Sequence, residues 1–498
     1  WRSRVVINII LAILVLSIII IIHEFGHFIV AKANGITVVE FSLGFGPKLI
    51  HFKKGETEYS LKLLPFGGAC IMLGEDFLEA DDDEQEDATE GNNTGKSGSE
   101  LDNDFCNGKT AEYNGFGNAS RYSSDNTSAG SYMSEKKKQE ALEAGYDMSK
   151  SFANKSVWAR IAVIAAGPIF NFILAFVCSV VIIGSIGYDP CMVDVVYDNS
   201  PAVSAGLQEG DKIIKVNNQK ITFYRDYSFY RVYHADDTMN ITYERDGQKY
   251  TTTLTPEYVK QQKYQMGVTL EQNGTIAGVS DGTPAQKAGI KKGDIITAVN
   301  GVAVDGSTKI IELVGQCNGE SVDITINRDG STMQLNVTPD SVENEYYYTG
   351  FASYGARQKV SPISVIGYAF KEVGYSVNTV VKSLGMMFTG QVGINDLSGP
   401  VGTVSAMSNI VEESKADGTF YVILNLLNLA GLISANLGVM NLLPIPALDG
   451  GRLVFLILEV LRGKPVKKEH EGMVHFVGMI FLFVLMIYVM FKDIRGLF

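Results

Sequence analysis

The sequence predicts a polytopic α-helical membrane protein with four transmembrane helices, a membrane-associated β-hairpin after the first, and two extracytoplasmic α+β domains between the second and third. Three observations predict it. Of the 498 residues, 46% are hydrophobic, and they gather into four blocks (5–33, 156–186, 420–443 and 473–491) too long for the helices of a soluble core. A repeat with a constant offset of 83 residues lies between the second and third blocks. The net charge of −13 comes almost wholly from one stretch, 75–104, in which thirteen acidic residues face a single lysine.

The first span is assigned to residues 1–33. Between positions 5 and 22 only Asn8 and Ser17 interrupt it, and it lacks a small-residue cleavage site, so it is expected to be retained. Residues 34–74 form the hairpin region. Residues 57–73 alternate around Pro65-Phe66-Gly67-Gly68, which reads as a hairpin dipping toward the membrane, with a plain cytoplasmic hairpin as the alternative. The acidic run and the Gly/Ser/Asn-rich sequence after it, 75–150, cannot bury enough surface to fold. They are expected to be a disordered insert, read as a solvated linker rather than an acidic binding tail. The second span, 151–188, contains Gly167-Pro168, which predicts a kinked helix packed closely by its neighbours.

In the repeat, SPAVSAGLQEGDKIIKVNNQKI (200–221) matches TPAQKAGIKKGDIITAVNGVAV (283–304), pairing Pro201 with Pro284, Asp211 with Asp294 and Asn217 with Asn300. A helix ending in AG, a GD turn and a strand running into VNN or VNG resemble a PDZ domain of the bacterial protease type. The two copies are assigned to 189–258 and 259–340, and such domains accept a peptide as an added strand or act as a size filter. A linker with amphipathic helices is expected over 341–418. The third span, with the motif LDG at its end, covers 419–452, and the fourth covers 470–493. Lys and Arg cluster between the third and fourth spans (Arg452, Arg462, Lys464, Lys467, Lys468) and before the second, which places both loops in the cytoplasm and the repeat outside. Arg2 and Arg4 argue the other way. Five cysteines without a CxxC pair give no disulfide framework, and no basic patch interleaved with aromatics points to nucleic acid.

The chemistry gathers in two short motifs. In HEFGH, His23 and His27 are four residues apart, so on a helix they share a face at about 5 to 6 Å and can hold one metal ion, with Glu24 beside them as a base. In NLLPIPALDGGR (441–452), two prolines break the helix and put Asp449 in irregular backbone at membrane depth, which survives only where packed in protein or lining a wet cavity. A catalytic zinc takes three protein ligands and keeps one position open, and Asp449 supplies the third.

With GFGPKL (44–49), LLPFGGACIMLGED (63–76) and AAGPIFNFILA (165–175), these motifs resemble the site-2 protease family of intramembrane zinc metalloproteases, of the bacterial RseP type, over nearly the whole chain apart from the insert. The resemblance implies that His23, His27 and Asp449 bind Zn2+ and that Glu24 is the catalytic base. It implies that Asn441 steadies the substrate, that Asn171 of Gly167–Asn171 touches either substrate or a structural partner, and that the strand edge at Gly67 and Gly68 holds the substrate extended. Implied substrates are single-span membrane proteins such as anti-sigma factors, or remnant signal peptides. The competing reading is a non-catalytic membrane scaffold that captures extracytoplasmic peptides, and the complete set of ligands and base weighs against it. His51, His234, His470 and His475 have no metal-type partners nearby in sequence and are read as structural or surface residues.

Overall fold

A computed structural model describes residues 2–74, 142–143, 145–391, 393, 399–415 and 418–495. Of the expected acidic insert, 75–141 and 144 lie outside the described residues. The chain divides into two compact units, 1–187 with 359–498, and 188–358.

The first unit opens with helix α1 (Arg2–Ala33). It is followed by two long strands, β1 (Val38–Lys54) and β2 (Thr57–Met72). Their turn lies at Gly55-Glu56, with Lys54 opposite Thr57, and not at Pro65–Gly68 as the alternation suggested. Gly55 carries the positive φ of +66° that such a turn requires, whereas 65–68 is a bend inside β2. Because of that bend, residues 38–43 are flanked on both sides. Leu43 lies opposite both Leu61 and Gly68, and Phe41 opposite both Tyr59 and Cys70, so segment 68–72 forms a margin of the ribbon.

Helix α2 (Val157–Ile186) starts where the Ser156 hydroxyl accepts the Ala159 amide at 3.3 Å and ends before Gly187 at φ +83°. It stays helical through Pro168.

The second unit contains the repeat. Its first copy runs through β3 (Val195–Val196), α3 (Pro201–Ser204), β4 (Lys212–Val216), β5 (Gln219–Lys220), α4 (Tyr224–Tyr233), β6 (Met239–Arg245) and β7 (Gln248–Leu254). After β8 (Glu257–Gln265) and β9 (Val268–Leu270), the second copy runs through β10 (Ile276–Val279), α5 (Pro284–Lys287), β11 (Ile295–Val299), β12 (Val302–Ala303), α6 (Ser307–Gly315), β13 (Val322–Arg328) and β14 (Ser331–Val337). Strands β15 (Asp340–Tyr348) and β16 (Phe351–Ala352) follow. The two sheets have the same order, β5-β4-β6-β7 and β12-β11-β13-β14.

The GD turn has the same physical role in both copies. Asp211 accepts from Arg245 Nε at 2.6 Å and from the Gln208 amide at 2.9 Å, and Asp294 accepts from Arg328 Nε at 2.7 Å and from the Lys291 amide at 2.8 Å. Each pair ties the turn to the end of the third strand of its sheet. The copies also exchange strands: β9 pairs with β10 of the second copy, while β16 pairs with β3 of the first and buries Phe351 in the first core. Between them β8 pairs with β15, with Gln261 opposite Asn344, residues one repeat length apart, so the pairing has a local two-fold relation. Residues 341–352, expected to begin a linker, are therefore part of this unit, because the first copy lacks a partner for β3 until the chain returns.

Back in the first unit, α7 (Pro362–Phe388) and α8 (Pro400–Ser414) lead to α9 (Thr419–Leu442), α10 (Asp449–Arg462) and α11 (Lys468–Arg495). Among the described residues, four helices are long and apolar enough to cross a membrane, at Ile10–Ala33, Val157–Ile186, Thr419–Leu442 and Glu469–Arg495. Helix α9 turns a buried stripe of small residues, Gly431, Ser434, Ala435 and Gly438, toward α2. A Cβ at Gly438 would stand 2.8 Å from the Phe172 ring, and the Ser434 hydroxyl donates to the Asn171 carbonyl at 2.8 Å. Close backbone approach and interhelical hydrogen bonds are what hold helices together where lipid leaves no hydrophobic driving force.

Arg328 beside Asp294 holds that carboxyl below its ordinary range. A depressed folded pKa stabilises the fold above the unfolded value of about 4 and loses that contribution as pH falls through the folded value. Asp294→Asn is therefore expected to lower stability by about 2 kcal/mol at pH 7, where hydrogen bonds to a charged group are lost. In urea unfolding at a series of pH values, the gap between wild type and variant should be constant from pH 7 to 5 and shrink below pH 4.

Candidate metal centre

His23 and His27 project from α1 against α2 at a place where neither backbone carries a side chain. A Cβ on Gly26 would lie 2.5 Å from the Ala166 carbonyl oxygen and 2.9 Å from the Phe170 ring. A Cβ on Gly167 would enter both imidazoles, 2.6 Å from His27 Cε1 and 2.7 Å from His23 Cε1. Gly167 thus makes room for the pair, and its neighbours one turn away on the same face of α2 orient them. His27 Nδ1 donates to the Val163 carbonyl at 2.8 Å, which leaves the Nε2 lone pair of the neutral ring free. His23 Nδ1 lies 3.1 Å from the side-chain amide of Asn171, a residue with no exposed surface.

Asp449 arrives from the other side as the first residue of α10, so the irregular backbone the prolines cause is the preceding segment, 443–448, and LDGG is a helix start. An acidic residue in a first helical turn faces the positive end of the helix dipole. The two glycines after it are required by packing, since a Cβ on Gly450 would collide with the Leu443 carbonyl and one on Gly451 would lie 2.5 Å from the Ile445 carbonyl oxygen.

Three donor atoms converge there. Asp449 Oδ2 is 3.2 Å from His23 Nε2 and 3.4 Å from His27 Nε2, and the two Nε2 atoms are 3.3 Å apart. Ligands about 2.0 to 2.1 Å from a tetrahedral zinc are separated by about 3.3 Å, so the triangle has the size of one face of such a site. Asp449 Oδ2 is also buried and has no hydrogen-bond partner, despite the two nitrogens within reach. The donor set and the unsatisfied oxygen fit a zinc ion better than a hydrogen-bonded trio.

The remaining candidates lie around this triangle. Glu24 is within electrostatic reach of His23, His27, Asp449 and the Cys70 backbone. Gly68 is equally close, since a Cβ there would stand 2.9 Å from Glu24 Cγ. Gly67 precedes it in β2 at φ +87°. Asn441 Nδ2 lies 3.4 Å from His23 Nε2. The Val163 carbonyl and the Cys70 amide went unnoticed in the sequence because backbone groups carry no residue signature. His51 and His234 lie elsewhere, facing Glu58 at 3.0 Å and Asp237 at 2.7 Å.

Peptidase family M50 matches residues 11–485. The chain belongs to this family. The zinc metalloprotease RasP of Bacillus licheniformis is 31% identical over 511 residues, covering 98% of each chain. The regulator of sigma-W protease RasP of Bacillus subtilis is 30% identical over 506 residues, again covering 98% of each. The β-rich unit is similar to the crystal structure of the HtrA3 PDZ domain bound to a phage-derived ligand, at 19% identity over 17% of this chain and 93% of that one, with a TM-score of 0.16. The chain is a zinc metalloprotease of the site-2 type and a multi-pass membrane protein.

Gly167→Ala should displace the imidazoles while leaving every donor atom in the sequence. The purified variant is expected to retain less than a tenth of the wild-type zinc by elemental analysis, and near-stoichiometric zinc would show that the crossing tolerates a methyl group.

Proposed function

We propose that the chain is an intramembrane endopeptidase that cleaves the transmembrane segments of single-span proteins, anti-sigma factors and remnant signal peptides among them. The observation that carries this reading is the 3.2 to 3.4 Å triangle of His23, His27 and Asp449 between apolar helices, with Glu24 beside it. The Bacillus subtilis relative, the regulator of sigma-W protease RasP, supports the substrate class.

In this reading His23, His27 and Asp449 hold zinc, which when bound supplies Lewis acidity, polarising a carbonyl and acidifying water. Glu24 takes the proton of the attacking water and delivers it to the nitrogen of the leaving amine. Asn441 directs its Nδ2 to the substrate carbonyl. A transmembrane helix hides its amides in hydrogen bonds, so the substrate must unwind, and segment 68–72 at the ribbon's margin, with Gly67 and Gly68 leaving space, supplies replacement bonds. Asn171 acts on His23 and not on substrate. A ring that offers Nε2 to a metal keeps its proton on Nδ1, and the amide turned by 180° meets that proton with Oδ1, an atom otherwise buried without a partner.

The two copies in 188–358 are PDZ domains on the extracytoplasmic side, and the metal centre lies toward the cytoplasm. The basic residues Arg462 at the end of α10 and Lys464 and Lys467 between α10 and α11 support this orientation. The domains serve as a filter that excludes uncut ectodomains.

Cleavage of a single-span reporter in membranes, with zinc measured in the same preparations, tests the roles. Glu24→Gln should keep zinc and lose about 10²- to 10⁴-fold in rate, whereas equal processing would remove Glu24 from the chemistry. Asn171→Ala should weaken zinc binding by about 10- to 100-fold, and unchanged affinity would return Asn171 to a packing role. Removing 192–339 should permit cleavage of a full-length reporter with its ectodomain intact. Continued exclusion would end the filter proposal.

A further inference from the structure

The segment that delivers Asp449 is held from a helix that carries no ligand. Ala447, two residues before Asp449, has φ of +73°. The other described non-glycine residues with positive φ are asparagines and aspartates, whose side chains tolerate that region, and an alanine does not. Its methyl group is exposed, so packing does not impose this backbone. A hydrogen bond does: the Ala447 amide donates at 2.8 Å to Nδ1 of His475 in α11, which is 4% exposed. The His475 ring lies 5.6 Å from that of Phe455 in α10, so it is fixed against the helix that Asp449 begins. One turn along α11, Gly478 meets the same segment, where a Cβ would stand 2.9 Å from the Pro446 carbonyl oxygen.

We propose that α11 clamps residues 443–448 and that His475 is a positioning residue for Asp449, holding the Ala447 backbone in a conformation it would otherwise leave. The inference rests on Asp449 being a zinc ligand. A triangle with edges of 3.2 to 3.4 Å tolerates little drift of one corner, so release of the segment is read first as weaker metal binding.

The test is zinc affinity of the purified full-length chain, measured in detergent by competition with a chromogenic chelator. His475→Phe keeps the ring and removes the acceptor, and it should weaken binding by about tenfold or more. His475→Asn places an oxygen where Nδ1 stands and should recover most of the affinity, a rescue that loss of packing would not give. Adding Ala447→Gly to His475→Phe should recover part of it, since glycine takes this φ without strain. Wild-type affinity in His475→Phe, or an asparagine variant as weak as the phenylalanine one, would overturn the proposal. Where His475→Phe does not accumulate, Gly478→Ala carries the same expectation and the same refutation. Asp449→Ala separates the two levels: full zinc affinity there removes the ligand assignment and the clamp with it, whereas loss there with none in His475→Phe removes the clamp alone.

Discussion

The crossing of α1 and α2 is the constraint on which the rest of the site depends. Two glycines, Gly26 and Gly167, let the backbones approach until neither has room for a Cβ, and the histidine pair fills the space beside Gly167. Val163, Gly167 and Asn171 are spaced four residues apart, so one face of α2 presents an acceptor for His27, a gap for both rings and an amide for His23. The small-residue stripe of α9 brings α2 close on its other side, where Ser434 bonds the Asn171 carbonyl. The residue that meets His23 is thus itself fixed by a third helix.

A polar centre between apolar helices is costly unless each polar group has a partner. Here the partners come from several elements: backbone groups of α2 and β2, the Asn171 amide and the start of α10. Two buried oxygens there have no hydrogen bond, Asn171 Oδ1 and Asp449 Oδ2, and the latter lies within 3.4 Å of the two nitrogens a metal would share with it. Farther from the centre, Arg160 of α2 forms a two-pronged pair with Glu459 of α10, 3.2 Å on its longer arm, and fixes the helix that Asp449 begins. The helix that Asp449 begins is thus tied to α2 near its far end as well.

What the sequence made legible follows from what a sequence records. HEFGH and LDGG could be read because ligand chemistry restricts residue type and helical spacing restricts position, and the spans could be read because length and apolarity suffice. The hairpin turn was displaced because Pro65–Gly68 carries a stronger turn signature than Gly55-Glu56, although only the latter lets β1 and β2 pair along their length. The exchange of β9 and β16 was invisible because partner choice between two similar copies depends on where the chain runs after each sheet. Sequence spacing leaves Asn171 open between substrate and a structural partner, because spacing cannot say which ring an amide meets across a helix interface. Asp449 was placed in irregular backbone because the prolines dominate the local signal, whereas the two glycines that let the loop fold onto the helix start are read only against the Leu443 and Ile445 carbonyls.

The ribbon and Glu24 lie in contact. Segment 68–72 is anchored on its inner side to 38–43, and on α1 it meets Glu24 twice, through the Cys70 amide and through Gly68. A shift of this segment along its own axis would change both of these contacts with Glu24 together with the ladder to 38–43. Any peptide added at that margin would therefore be judged by its fit to the ribbon and by its effect on the Glu24 carboxylate together. In the proposed reading, a peptide that seats without displacing segment 68–72 leaves Glu24 beside the His23, His27 and Asp449 triangle, and one that forces the segment to move disturbs Glu24 as well. In the proposed reading, selection by backbone extension and proton transfer by Glu24 then share a single structural element, and glycine stands at Gly68 where a Cβ would lie 2.9 Å from Glu24 Cγ.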